Sequence, residues 1–128
     1  MLYVFAGWTL FVWATRIENI VRDDGSAAAL LIAIGMTALG AAVAVTLLLR
    51  RPRMVATTVL ALAGATVAVW AVRAPMILAD GDHGAAFKIV HTALAVVSVG
   101  LAVVALRRVR RVRRVASAEP AVSASAGG

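Results

Sequence analysis

The chain has no cysteine, only two histidines, six acidic residues and seven aromatic residues in 128. The absence of cysteine excludes a disulfide framework, a thiolate metal site and a cysteine nucleophile. The shortage of charge is more decisive. Only 15% of the residues are charged while 62% are hydrophobic, and the mean hydropathy is +0.95. A water-soluble globule of this size needs more polar surface than that to cover its core. No glycine-rich phosphate loop and no nucleophile elbow is present, and no serine stands beside a histidine and carboxylate pair, so the sequence gives no support to catalysis.

What the chain does have is four apolar stretches, Met1 to Thr15, Ala27 to Leu49, Met54 to Val72 and Ala85 to Leu106, separated by arginine-rich or acidic segments. About twenty residues at 1.5 Å rise match a hydrocarbon core of roughly 30 Å. The expectation is therefore an all-α polytopic membrane protein, a four-transmembrane-helix antiparallel bundle spanning about 1–20, 27–49, 54–72 and 85–106. A basic juxtamembrane run at 107–115 completes the domain at 1–115, and 116–128 is small, polar and expected to be a disordered cytoplasmic tail. The first stretch lacks a basic n-region and an evident cleavage site, so it reads as a retained helix that borrows a polar final turn, Arg16 to Ile20. Whether residues 73–79 extend the third helix past Pro75 or lie in the interface stays open.

Charge distribution gives the orientation. With four spans, nine of the thirteen basic residues fall on the side that holds both termini: Arg50, Arg51 and Arg53, and Arg107, Arg108, Arg110, Arg111, Arg113 and Arg114. Five of the six acidic residues fall on the other side. The positive-inside bias places both termini in the cytoplasm and the chain in the cytoplasmic membrane. The net charge of +7 is then a topology signal. Nucleic acid is not the expected partner, because no aromatic platform accompanies the arginines. The six C-terminal arginines, three times Arg-Arg-Val, are expected to lie against anionic lipid headgroups. Tyr3, at one interface, and Trp13, Trp70 and Phe87, at the other, fit aromatic belts, and Trp8 is deep enough to pack.

Small residues should carry the helix contacts. Gly40 with Ala44 and Gly64 with Ala68 are small-x-x-x-small pairs. In the fourth helix Gly84, Lys88, His91, Ala95, Ser98 and Ala102 share one face that should look inward. The candidate polar cluster comprises Arg16, Glu18, Asn19, Asp80, Asp82, His83, Lys88 and His91, at the outer ends of the helices. Three readings compete. Lys88 can snorkel and Glu18 can pair with Arg22 at i to i+4, which is structural. His91 and Lys88 can instead lie on a proton or ligand pathway, with Glu18, Asp80 and Asp82 at its mouth. Or the histidines and carboxylates can hold a metal. No cofactor is implied.

The segments Gly7-Trp8-Thr9-Leu10-Phe11-Val12-Trp13-Ala14-Thr15-Arg16-Ile17-Glu18-Asn19-Ile20 and Phe87-Lys88-Ile89-Val90-His91-Thr92-Ala93-Leu94-Ala95 resemble small uncharacterised four-span integral membrane proteins of actinobacterial type. The resemblance covers the four-span body and not the tail, and it implies the architecture without an activity. The expected function is that of a non-catalytic accessory or scaffold subunit of a larger membrane assembly, or of a homo-oligomer. The second expectation is a small proton-, ion- or metal-linked transporter using the outer cluster.

Overall fold

The computed structural model describes residues 1–125 except Asp24 and His83, and the side chains as far as Arg114. It is all-helical, with α1 Leu2–Arg22, α2 Ala27–Leu48, α3 Pro52–Ala79 and α4 Ala85–Ser125. Three of these, α2, α3 and Ala85–Arg114 of α4, are long and apolar enough to cross a membrane. The helix α1 is not among them. Two tryptophans, a glycine and the polar turn Arg16 to Asn19 lower its mean hydropathy, although its 21 residues are long enough.

Helix ends follow local chemistry. The Ser26 hydroxyl accepts from the Ala29 N–H at 3.3 Å, the N-cap the sequence suggests. At the end of α2, Arg51 N–H donates to Thr46 O and Arg50 N–H to Leu47 O, both at 3.2 Å, closing a Schellman turn. Arg50 takes the left-handed position there, with φ 50°, where glycine is usual. Pro52 occupies the first turn of α3, where its missing N–H costs nothing. Residues 73–79 continue α3 as helix, with Pro75 inside it, which settles the alternative the sequence leaves open. The backbone of α4 likewise does not stop at Val115, where composition predicts a disordered tail, but continues to Ser125. Alanine, the strongest helix former, recurs through that stretch at 116, 118, 121 and 124.

Each helix packs on its neighbours in chain order, and α4 returns to α1; α1 and α3 do not pack directly on each other among the described residues. The buried positions recur at spacings of three and four: Ala6, Thr9, Trp13 and Ile20; Ala33, Met36, Gly40 and Val43; Ala56, Val59, Ala63, Thr66 and Trp70; Ala95, Ser98, Ala102, Ala105 and Val109. This is a heptad-like seam, and most of its residues are small. Phe5 and Leu62 are buried with them, but many long apolar side chains point the other way, with Leu31, Leu48, Val72, Ile89 and Val96 all more than half exposed. A seam made mostly of small residues under a large apolar exterior departs from the soluble pattern and suits lipid.

Buried hydroxyls are satisfied within the helices or across them. Thr9 donates to Phe5 O at 2.9 Å and Thr66 to Leu62 O at 2.8 Å. Thr46 and Thr58 meet at 3.1 Å between α2 and α3. The Trp8 indole donates to Ser98 Oγ at 3.0 Å, joining α1 to α4. Tyr3 reaches Leu47 O at 3.4 Å, so the start of α1 lies beside the end of α2.

The fold also exposes an internal repeat. Ala6-Gly7-Trp8-Thr9-Leu10-Phe11-Val12-Trp13-Ala14-Thr15-Arg16 in α1 recurs as Ala63-Gly64-Ala65-Thr66-Val67-Ala68-Val69-Trp70-Ala71-Val72-Arg73 in α3, with Ala, Gly, Thr, Val, Trp, Ala and Arg in matching places. Matching residues take matching environments. The first alanine, the threonine and the tryptophan are buried in both helices, and each threonine donates to the carbonyl four residues earlier. Both glycines face outward, with nothing within 4 Å of where a Cβ would stand.

Candidate functional site: a cavity between the two tryptophan-arginine repeats

Because α1 and α3 sit across from each other without packing directly, their repeated Trp-Ala-x-Arg ends border a common space. Trp13 and Arg16 come from α1, Trp70 and Arg73 from α3, and α4 adds Phe87 and His91; the cavity measures about 630 Å³. Trp and Arg three residues apart lie on one helix face, so each helix delivers an indole and a guanidinium together. Trp13 and Trp70 are only 5% and 7% exposed. They wall the cavity instead of facing headgroups, which corrects the belt expected of them.

Of the predicted cluster, this cavity gathers Arg16, Asn19, Asp80 and His91. The remaining members go elsewhere. Glu18 pairs with Arg22 at 2.7 Å on the exposed side of α1, in the i to i+4 geometry expected. Asp82 is exposed in the turn before α4, and its N–H donates to Asp80 Oδ1 at 2.8 Å. Lys88 Nζ donates to Leu78 O at 3.1 Å, near the C-terminal end of α3, where a cation is favoured. His83 lies outside the described residues. Among the described residues no group of three or more His, Asp or Glu side chains gathers in metal-binding proximity.

His91 is half-buried. Its Nδ1 lies 2.9 Å from Phe87 O, and its ring stacks on Phe87 at 3.9 Å between centroids. A carbonyl only accepts, so Nδ1 carries the hydrogen and Nε2 is the remaining ring nitrogen. Toward the start of α1 the inward face of α4 is as expected, with Ala95, Ser98 and Ala102 buried, whereas Gly84 is exposed and Lys88 only half-buried.

The arginines have no such partners. Neither Arg16 nor Arg73 is in ion-pair contact with a carboxylate among the described residues, and both line the same cavity. The Arg16 Nε and the Trp70 Nε1 are both buried and reach no acceptor among the described residues. Compared with protein-family models, curated proteins and solved structures, the chain matches none of them.

Arg73, Trp13, Trp70 and Phe87 are the site residues that sequence reasoning missed. The signal was there: the repeated Trp-Ala-x-Arg tetrapeptide, with no carboxylate three or four residues from Arg73. At the opposite end of α4, Arg107, Arg108, Arg110, Arg111, Arg113 and Arg114 are all exposed, while Val109 between them is buried at 6%. The valine extends the α4 seam by one further position, and the cations stay outside it.

Proposed function

We propose that this chain is a non-catalytic integral membrane protein, a four-helix antiparallel bundle with α1 as its fourth span and both termini cytoplasmic, that serves as an accessory or scaffold subunit of a larger membrane assembly or assembles with itself as a homo-oligomer. The observation that carries the reading is the pair of outward glycines. A mid-helix glycine costs up to about 1 kcal/mol relative to alanine in helix propensity. Gly7 and Gly64 stand at matching places in the two repeats, and a Cβ on either would meet nothing within 4 Å among the described residues. Beside Gly64 the outward face of α3 also carries Thr57, Ala61 and Ala68, all exposed. A partner's membrane helix comes closest to the backbone where side chains are this small. Gly40, by contrast, is used internally, against Thr9 and Leu10 of α1. The six exposed arginines hold the cytoplasmic end of α4 against anionic lipids, at about 1 kcal/mol per cation near the surface.

The transport reading has less support. Phe5, Val43, Val59 and Leu62 fill the interior toward the cytoplasmic end, each at 1% exposure or less. Lys88 and Glu18, two of its pathway groups, are held outside the cavity.

The test is crosslinking and mass spectrometry of what copurifies with the tagged protein from native membranes in mild detergent. The reading expects a stoichiometric membrane partner, or a discrete homo-oligomer, that is lost in Gly64→Ile. Recovery of a lone monomer from crosslinked membranes would overturn it.

A further inference from the structure

The cavity at the outer ends of α1, α3 and α4 has a composition that neither packing nor helix contact explains. Two guanidinium groups at or near the membrane cost free energy unless they are paired or hydrated. Here they are brought in from matching places of a repeat, line the same space, and meet no carboxylate partner among the described residues. Asp23 and Asp80 also border the cavity. Asp80 Oδ1 is occupied by its own turn, and Asp23 sits at the exposed C-cap of α1. The second, independent observation is Trp70. It is 7% exposed, lines the cavity, and its Nε1 donor is unpartnered, as is the buried Nε of Arg16. Asp23, Asp80 and Asn19 bring acceptors to the border, yet the two planar cations and the buried indole N–H are donors that none of them meets, and such donors fit an anion. The walls between them are aromatic, from Trp13, Trp70, Phe11 and Phe87, which fits an apolar body next to the charge.

We propose that this cavity binds a carboxylate or phosphate group carried on an apolar body, with Arg16 and Arg73 clamping the anion from opposite helices, Trp70 Nε1 donating to it, and the aromatic rings holding the apolar part. At about 630 Å³ the space is that of a small-molecule site. Two sources supply such chemistry at the outer face of a membrane: the headgroup of an anionic phospholipid, or a soluble amphipathic anion. The inference does not depend on the accessory-subunit reading.

Two of the three tryptophans line the cavity, so intrinsic emission reports its occupancy. The purified full-length protein in dodecyl maltoside is titrated with octyl phosphate and octanoate, with octyl glucoside as the uncharged control. Both anions are expected to give a saturable change in emission and octyl glucoside none. Arg16→Gln and Arg73→Gln should each weaken binding at least tenfold. Arg16→Lys and Arg73→Lys should lose less, since they keep the charge without the planar fork. Trp70→Phe should weaken it severalfold with the ring retained. If a Gln variant fails to fold by circular dichroism, the Lys and Phe variants carry the decision. Displacement of octyl phosphate by dihexanoyl-phosphatidylglycerol, with one anionic lipid retained per chain in native mass spectrometry, would assign the site to lipid. Displacement by octanoate but not by the short-chain lipid would assign it to a soluble anion. An equal response to octyl glucoside, or anion affinity unchanged in both the Arg→Gln and the Trp70→Phe variants, would overturn the proposal.

Discussion

Gly40 and Gly64 look alike in the sequence, each a glycine four residues before an alanine, and the fold assigns them opposite roles. At Gly40 a Cβ would stand 3.3 Å from Thr9 Cγ2 and 3.4 Å from Leu10 Cγ and Cδ2. Thr9 cannot turn away without breaking its 2.9 Å bond to Phe5 O, whereas Leu10 is half-buried and has freedom to shift. Gly40→Ala should therefore be nearly neutral, because a helix-propensity gain of up to about 1 kcal/mol meets crowding of similar size. Gly40→Ile adds three more carbons toward α1, and overpacking of this kind costs about 1–3 kcal/mol. A Cβ at Gly64 meets nothing within 4 Å among the described residues, so Gly64→Ile should change the stability of the isolated chain by less than about 0.5 kcal/mol. Unfolding by SDS in dodecyl maltoside micelles, followed by tryptophan emission, separates the two. A loss of 2 kcal/mol changes the folded-to-unfolded ratio about thirtyfold. Equal losses for the two isoleucine variants, or no loss at Gly40, would refute the inward and outward assignment.

Other outcomes follow from single contacts. Ser98→Ala removes the acceptor of the Trp8 indole and should cost about 1–2 kcal/mol in the same unfolding assay, with Trp8→Phe largely masking the effect in the double variant. Arg50→Gly relieves a left-handed arginine in the turn after α2 and should raise stability by about 0.5–1 kcal/mol. Val109→Arg buries a cation in the α4 seam and should destabilise by about 2 kcal/mol or more, while Val112→Arg, at a position 64% exposed, should be tolerated.

The sequence made the solvent legible and left the faces mostly hidden. In α2 and α3 apolar residues cover every side, so hydrophobic periodicity cannot say which face turns inward; the seam there is marked by size, as Ala33, Gly40, Ala56 and Ala63, not by polarity. The inward face of α4 could be read because Ser98 and His91 interrupt its valines. A list of charges at the helix ends misleads: Glu18 pairs with Arg22, Lys88 bonds the Leu78 carbonyl and Asp82 stays exposed in its turn, while Arg73, counted only for topology, lines the cavity. Aromatic residues near helix ends suggested a belt. Two of them are buried instead and wall the cavity.

The central claim is that α1 crosses the membrane with the three more apolar helices, and the parity of spans tests it most directly. With four crossings both ends lie on one side; with three they lie on opposite sides. The chain has no cysteine, so single cysteines at Leu2, Asp82 and Ser117 can be labelled without background. With an impermeant maleimide on intact cells, the account predicts labelling of Asp82→Cys alone, and of Leu2→Cys and Ser117→Cys only after the membrane is opened. Labelling of Leu2→Cys from outside while Ser117→Cys stays protected would contradict it.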